Sequence, residues 1–142
     1  MDRATAQAVA YMGEQVYAWM ENNLSAYNVG FEFLPEESPA MMLQSQVEDP
    51  IVKQYKSGRT VYRYPFSIYL RMDNADNESR INNQRELQAA AEALLDADIP
   101  LVGFTMRKPE QDTTVSVLST EQGMDVCYVT LHIDYERSSE NG

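Results

Sequence analysis

The longest strand pattern in the chain carries a proline at its middle. Arg59-Thr-Val-Tyr-Arg-Tyr-Pro-Phe-Ser-Ile-Tyr-Leu-Arg-Met72 alternates over fourteen residues. Successive side chains of a strand point to opposite faces, so Tyr62, Tyr64, Phe66, Ile68, Leu70 and Met72 share one face and Val61, Arg63, Ser67, Tyr69 and Arg71 take the other. The first face is apolar and the second mixed. Strands commonly run about five or six residues, so a ribbon of this length is expected to project past its own core, or to lie along a second sheet or a partner subunit. Pro65 has no N–H to give to a ladder, which predicts a bulge at that point or an edge position. The pattern reads as assembly rather than catalysis.

Around the ribbon the chain alternates between helical and strand periods. Val9, Met12, Val16, Trp19 and Met20 recur at three- and four-residue spacing, and alanines between them raise helix propensity, which predicts an amphipathic helix from about residue 3 to 22. Val29, Phe31 and Phe33 then alternate with Gly30, Glu32 and Leu34 as a strand, ended by the acidic segment Pro35 to Pro39. Residues 41 to 47 form a weaker strand pattern and 51 to 55 another, interrupted by Asp49-Pro50, and Ser57-Gly58 supplies hairpin turn chemistry. The polar cluster 73 to 77 is suited to cap a second helix running to about Asp96, with Ile81, Gln84, Leu87, Ala91, Leu94 and Leu95 as its stripe. Strands are expected through Val102, Phe104 and Met106, from Thr114 to Leu118, and from Asp125 to Glu136, with a polar turn at 108 to 112. The remainder, about 137–142, reads as a disordered, solvated tail.

That order predicts an α+β fold, mainly antiparallel, with a sheet of four to six strands and two helices packed on one of its faces. At 142 residues the chain fits one domain, 1–142, and shows neither internal repeat nor separating linker. Core candidates are Val16, Trp19, Phe31, Phe66, Ile68, Leu87, Leu94, Phe104, Val129, Leu131 and Ile133.

Composition narrows the partners. Eleven basic against twenty-two acidic side chains give a net charge of −11. Such a balance opposes nonspecific binding to nucleic acid or anionic lipid. A single cysteine, Cys127, excludes an internal disulfide and fits a reducing compartment. The N-terminus lacks a signal-peptide pattern, and no apolar run is long enough to span a bilayer, so cytosolic synthesis is expected.

Catalytic chemistry finds no footing in the residue pattern. His132, the lone histidine, falls on the strand face opposite Cys127, so the two cannot converge on a metal or act as a nucleophile pair; a sheet-surface or interface histidine is expected. Asp73-Asn-Ala-Asp-Asn-Glu78 departs from a calcium loop at Ala75 and at Gln84, and reads as a strand-to-helix turn. Glycines form no phosphate cradle. The aromatics Tyr62, Tyr64 and Phe66 near Arg59, Arg63 and Arg71 read as core beside a polar or subunit face rather than a stacking platform. No enzyme, cofactor or metal is therefore expected.

Tyr62-x-Tyr64-Pro65-Phe66-x-Ile68-x-Leu70, a short Asp/Asn turn, Arg80 opening a helix, Leu94-Leu95 closing it, Ile99-Pro100-Leu101, and a final Val126-x-Tyr128-x-x-Leu131-x-Ile133-x-Tyr135 strand resemble the tail terminator and minor capsid proteins of long-tailed bacteriophages. The likeness lies in order and size over residues 4 to 136. It implies a non-enzymatic virion protein, made in the host cytoplasm, that closes into a homohexameric ring at the head–tail junction. Such a ring ends growth of the tail tube, contacts the tail tube protein, and offers a surface to the head-connector or stopper protein. DNA passes through without specific recognition, and an acidic lumen would keep it from sticking. Two other readings stay open: a head-completion or stopper subunit, and a small non-viral protein-binding adaptor using Tyr69, Tyr128 and His132. A ring needs two different patches that meet between neighbours. The residues expected to supply one are Ser57, Gly58 and Arg59 in the hairpin, with Arg63, Tyr69 and Arg71 along the strand.

Overall fold

The computed structural model describes residues 2–46, 48–121 and 123–138. Its elements run α1 (Arg3–Asn23), β1 (Asn28–Phe31), β2 (Ala40–Ser45), β3 (Ile51–Gln54), β4 (Thr60–Asp73), α2 (Asn77–Leu95), β5 (Phe104–Met106), β6 (Glu110–Gln111), β7 (Ser116–Glu121) and β8 (Met124–Arg137). This is the expected α+β class. Val47, predicted to close the second strand, and residues 139–142 of the predicted tail lie outside the described residues; Arg137, assigned to that tail, belongs to β8.

Two long strands carry the sheet. β4 and β8 pair antiparallel in unbroken register from Val61↔Glu136 to Asp73↔Met124. Along the other edge of β4, β2 pairs with residues 66–71 and β3 with residues 60–62, end to end. The free edge of β8 is shared in the same way by β5, β6 and β7. β1 adds to β2 in parallel. Eight strand segments thus make a sheet five columns wide along the path β1-β2-β4-β8-β5.

This layout overturns two expectations for the ribbon. It does not project: β4 is interior to the sheet, flanked on both sides. Nor is Pro65 at an edge or a bulge in the β4–β8 ladder, where it stands opposite His132 in regular register. Its carbonyl accepts from Gln46 N, and Arg63 N donates to the Pro50 carbonyl. Residues 63 and 65 therefore turn their polar groups toward the gap between β2 and β3. The missing N–H faces that gap, where no ladder bond is forfeited.

Both helices cover the even-numbered face of β4. Asp2 caps α1 by accepting from Thr5 N at 2.7 Å, and Asp76 caps α2 by accepting from Ser79 N at 2.8 Å. Met12, Val16 and Met20 of α1 and Leu87, Ala91 and Leu94 of α2 close over Tyr64, Phe66 and Ile68 and over Val129, Leu131 and Ile133. Gly13 sits where α1 crosses the Tyr64 ring, and a Cβ there would lie 3.1 Å from the hydroxyl oxygen. The hydroxyl itself shares a 2.6 Å hydrogen bond with Ser45, while Tyr135 donates to the Ala8 carbonyl at 2.8 Å. Burial pushes the Tyr64 phenol up to about 12 and raises that of Tyr135 as well.

One stripe residue of α2 and three core candidates shift. Ile81 is 52% exposed, because the buried stripe of α2 passes through Asn83, Leu87, Ala90, Ala91 and Leu94, and six residues before Leu87 is a different side of a 3.6-residue helix. Phe31 is 39% exposed despite its inward register opposite Leu43: β1 is the outermost column, and the ring packs at that margin beside Tyr17 of α1, centres 5.7 Å apart. Trp19 and Phe104 pack against the core from its margin and are partly buried.

Candidate assembly interface

Helices leave the odd-numbered face of β4 uncovered, yet its charges are not free. Arg63 grips Asp134 on the neighbouring strand through two bonds, Nε to Oδ1 at 2.8 Å and Nη2 to Oδ2 at 3.0 Å. That pairing raises the Arg63 pKa. Tyr69 lies half-buried in a stack with Tyr128, ring centres 6.0 Å apart, as the register Tyr69↔Tyr128 dictates. Ser67 is buried and accepts from Gln46 Nε2 at 2.6 Å.

His132 is on this face, opposite Cys127, as the alternation predicts, but only 7% of it is exposed. The loop carrying β6 folds over it: both Asp112 carboxylate oxygens lie 2.8 Å from Nδ1, and Glu110 Oε2 lies 3.2 Å from Nε2. A neutral ring donates to one of these carboxylates, and a protonated ring to both. The depression beside it, about 330 Å³, also holds Thr113 and Thr130. The Thr130 hydroxyl donates to that of Thr113 at 2.9 Å, which also accepts from Thr130 N at 3.0 Å. Among the described residues no group of three or more His, Cys, Asp or Glu side chains converges to hold a metal.

The two ends of the β4–β8 pair differ more than its faces. At one end, Tyr55 N donates to the Arg59 carbonyl at 2.8 Å and Gly58 N to the Tyr55 carbonyl at 3.0 Å, closing the β3–β4 hairpin. Gly58, at φ +92°, takes the left-handed conformation that a side chain would resist. Around this turn the cations are held out by aromatic rings: Lys53 and Arg59 lie 4.8 and 4.7 Å from the Tyr55 ring centre, and Arg137 lies 4.9 Å from that of Phe104. An open depression of about 900 Å³ runs between them, lined among others by Ser57, Gly58, Arg59, Thr105 and Arg137. Glu136 pairs with Arg59 at 2.8 Å on its wall.

At the other end stands an acidic shelf. The loop after β1 runs through Phe33, which is 61% exposed, to Glu36 and Glu37, both exposed. Its backbone is tied down: Arg71 Nη2 donates to the Pro35 carbonyl, Asn28 Nδ2 to the Glu37 carbonyl at 3.0 Å, and Ser38 Oγ to the Arg71 carbonyl at 3.2 Å. Beside it, Asp125 is buried at 1% exposure. It accepts from Asn74 Nδ2 at 2.5 Å through Oδ1, while Arg80 Nε stands 3.5 Å from Oδ2, ion-pair distance without hydrogen-bond alignment.

No protein-family model matches the chain, and no curated protein matches it. Solved structures do. A chain from the virion of a native gene transfer agent particle shares this fold, with a TM-score of 0.57 at 15% identity over 95% of this chain and 99% of that one. A second solved structure matches at a TM-score of 0.53 and 15% identity over 99% of both chains. At that identity the likeness is one of fold, end to end.

The six expected interface residues therefore divide by place. Ser57, Gly58 and Arg59 come together on the basic depression. Arg63 and Tyr69 lie in the sheet face, engaged with Asp134 and Tyr128, and Arg71 is at the far end holding the acidic loop. Sequence reasoning missed that loop, taking residues 35 to 39 as a turn only, and missed Arg137. The signal within reach was Phe33 followed by two adjacent glutamates between prolines.

Proposed function

We propose that this chain is a virion structural protein of a tailed phage or phage-like particle, and more specifically a tail terminator: a ring-forming subunit that caps the tail tube and joins it to the head connector. The observation that supports the reading best is the end-to-end likeness to a chain of the gene transfer agent virion, in which nearly the whole of each chain is superposed. The chemistry of the open face agrees. Its one histidine is enclosed between carboxylates and Arg63 is locked to an aspartate, an arrangement suited to a stiff scaffold. Partners on this reading are further copies of the chain, the tail tube protein and the connector.

Deletion of the gene from its particle-producing host is the test, read by electron microscopy and by mass spectrometry of purified particles. The expected result is tail tubes of unregulated length without heads, and the chain present in wild-type particles at the head–tail junction. Tails of normal length that fail to join heads would assign the chain to the stopper position. Absence from particles, with normal particles made in the deletion strain, would move it to the adaptor class.

A further inference from the structure

The two ends of the β4–β8 pair are complementary to each other. On a chain of net charge −11 the hairpin end sets Arg59 and Arg137 on an open depression, with the exposed Lys53 and Lys56 on the adjoining hairpin. That end also presents Val52, 45% exposed, and Val102, 85% exposed. The far end presents Glu36 and Glu37 with the 61% exposed Phe33 just before them. A large exposed aromatic beside two carboxylates, on a backbone anchored by Arg71 and Asn28, is a preorganised knob. A hollow lined by two arginines is a socket of the matching charge. Because both stand on one chain at opposite ends of the same strand pair, they cannot meet within a copy.

We propose that the Phe33–Glu37 loop of one copy docks into the Arg59–Arg137 depression of the next, as the heterologous contact of the assembly. The inference rests on the self-association in the terminator reading and adds which surfaces meet. Its geometry is head-to-tail, which closes into a ring or runs on as a filament according to the rotation between neighbours. Glu136 lies on the socket wall and already neutralises part of Arg59, so the incoming carboxylates are received mainly by Arg137, with Lys53 and Lys56 on the adjoining hairpin adding to the positive field. Arg71 acts from behind, as a positioning residue for the knob.

The experiment uses the full chain and two double variants, Glu36→Lys/Glu37→Lys and Lys56→Glu/Arg59→Glu, with mass measured in solution at low and high salt. Wild type is expected to form higher oligomers that weaken as salt rises, because the contact is partly electrostatic. Each variant alone should stay monomeric. A one-to-one mixture, in which each intact knob meets an intact socket and each reversed knob a reversed socket, and a chain carrying all four changes should both regain higher oligomers. Circular dichroism checks folding. Should loss of the Arg59–Glu136 pair unfold the second variant, Lys53→Glu/Lys56→Glu, which touches no ion pair among the described residues, replaces it.

Unchanged oligomers in both variants would overturn the contact while leaving self-association standing. A wild-type chain that stays monomeric at high concentration and low salt overturns self-docking; if it is nevertheless found at the head–tail junction, the terminator reading survives without it. Monomeric variants whose mixture also stays monomeric, and which the fourfold change does not rescue, would overturn it in favour of a different acidic partner for the socket.

Discussion

The two faces of β4 are both largely withdrawn from water, and for opposite reasons. On the even face Tyr64, Phe66, Ile68 and Leu70 are buried by helices, so their gain is the removal of apolar surface, about 1.5–3 kcal/mol for a fully buried large side chain. On the odd face no helix arrives. Ser67 is buried and Arg63, Tyr69 and Arg71 are half-buried because each is engaged by a neighbour: Gln46, Asp134, Tyr128 and the Pro35 carbonyl. One face is stable through packing that any change of volume disturbs, the other through directional contacts that set geometry and add little net energy. A surface of the second kind keeps its shape in water, which suits a subunit waiting for a neighbour.

Variants separate the two regimes. The largest loss is expected for Phe66→Ala or Leu131→Ala on the packed face, about 2–5 kcal/mol by urea unfolding; a loss under about 1 kcal/mol would remove the distinction. Next comes the open face: a double-mutant cycle of Arg63→Ala and Asp134→Ala should give a coupling of about 1 kcal/mol or less, since 35% of the Arg63 side chain is exposed. Reversal at Arg63 is a poor probe of assembly alone, because it sets a carboxylate against Asp134. Arg71→Glu is expected to spare most of the stability while releasing the Pro35 carbonyl, seen as faster amide exchange in residues 36–38 and weaker oligomers.

Alkaline pH tests the packed face without mutation. Tyr64 has its pKa raised from 10.0 to about 12 by burial, so the stability of keeping its hydroxyl neutral is fully present below pH 10 and is lost as pH rises through about 12. Thermal melting should show that fall, and Tyr64→Phe should lessen it, the buried Tyr135 keeping its own share. The smallest effect belongs to a helix end. Asp76, whose pKa is lowered first by the Ser79 backbone N–H, contributes above the ordinary carboxylate range and loses that contribution as pH falls through its depressed value. Asp76→Asn should keep the cap and lose that acid dependence, and Asp76→Ala should lose both.

Much of this was readable from residue order. Period-2 alternation gave the correct faces of β4 and β8, including His132 opposite Cys127, and Asp76 was legible as part of a capping cluster. Ile81 and Phe31 were misread because periodicity assigns a side and says nothing of whether another element reaches that far. The candidate site was half legible: the hairpin glycine and Arg59 stand out in sequence, whereas Arg137, the acidic loop and the anchoring role of Arg71 involve partners more than thirty residues away.

What the linear order of residues determined by itself is local: which segments coil or extend, which side of each is apolar, where a cap or a turn must fall. These follow from backbone sterics and from the spacing of side chains along one element. Only the tertiary structure decided that the fourteen-residue ribbon is interior, that Pro65 faces the gap between two short strands, and that cations and acids collect at opposite ends of one strand pair. Those outcomes depend on strand pairing between distant segments, whose register no single segment encodes.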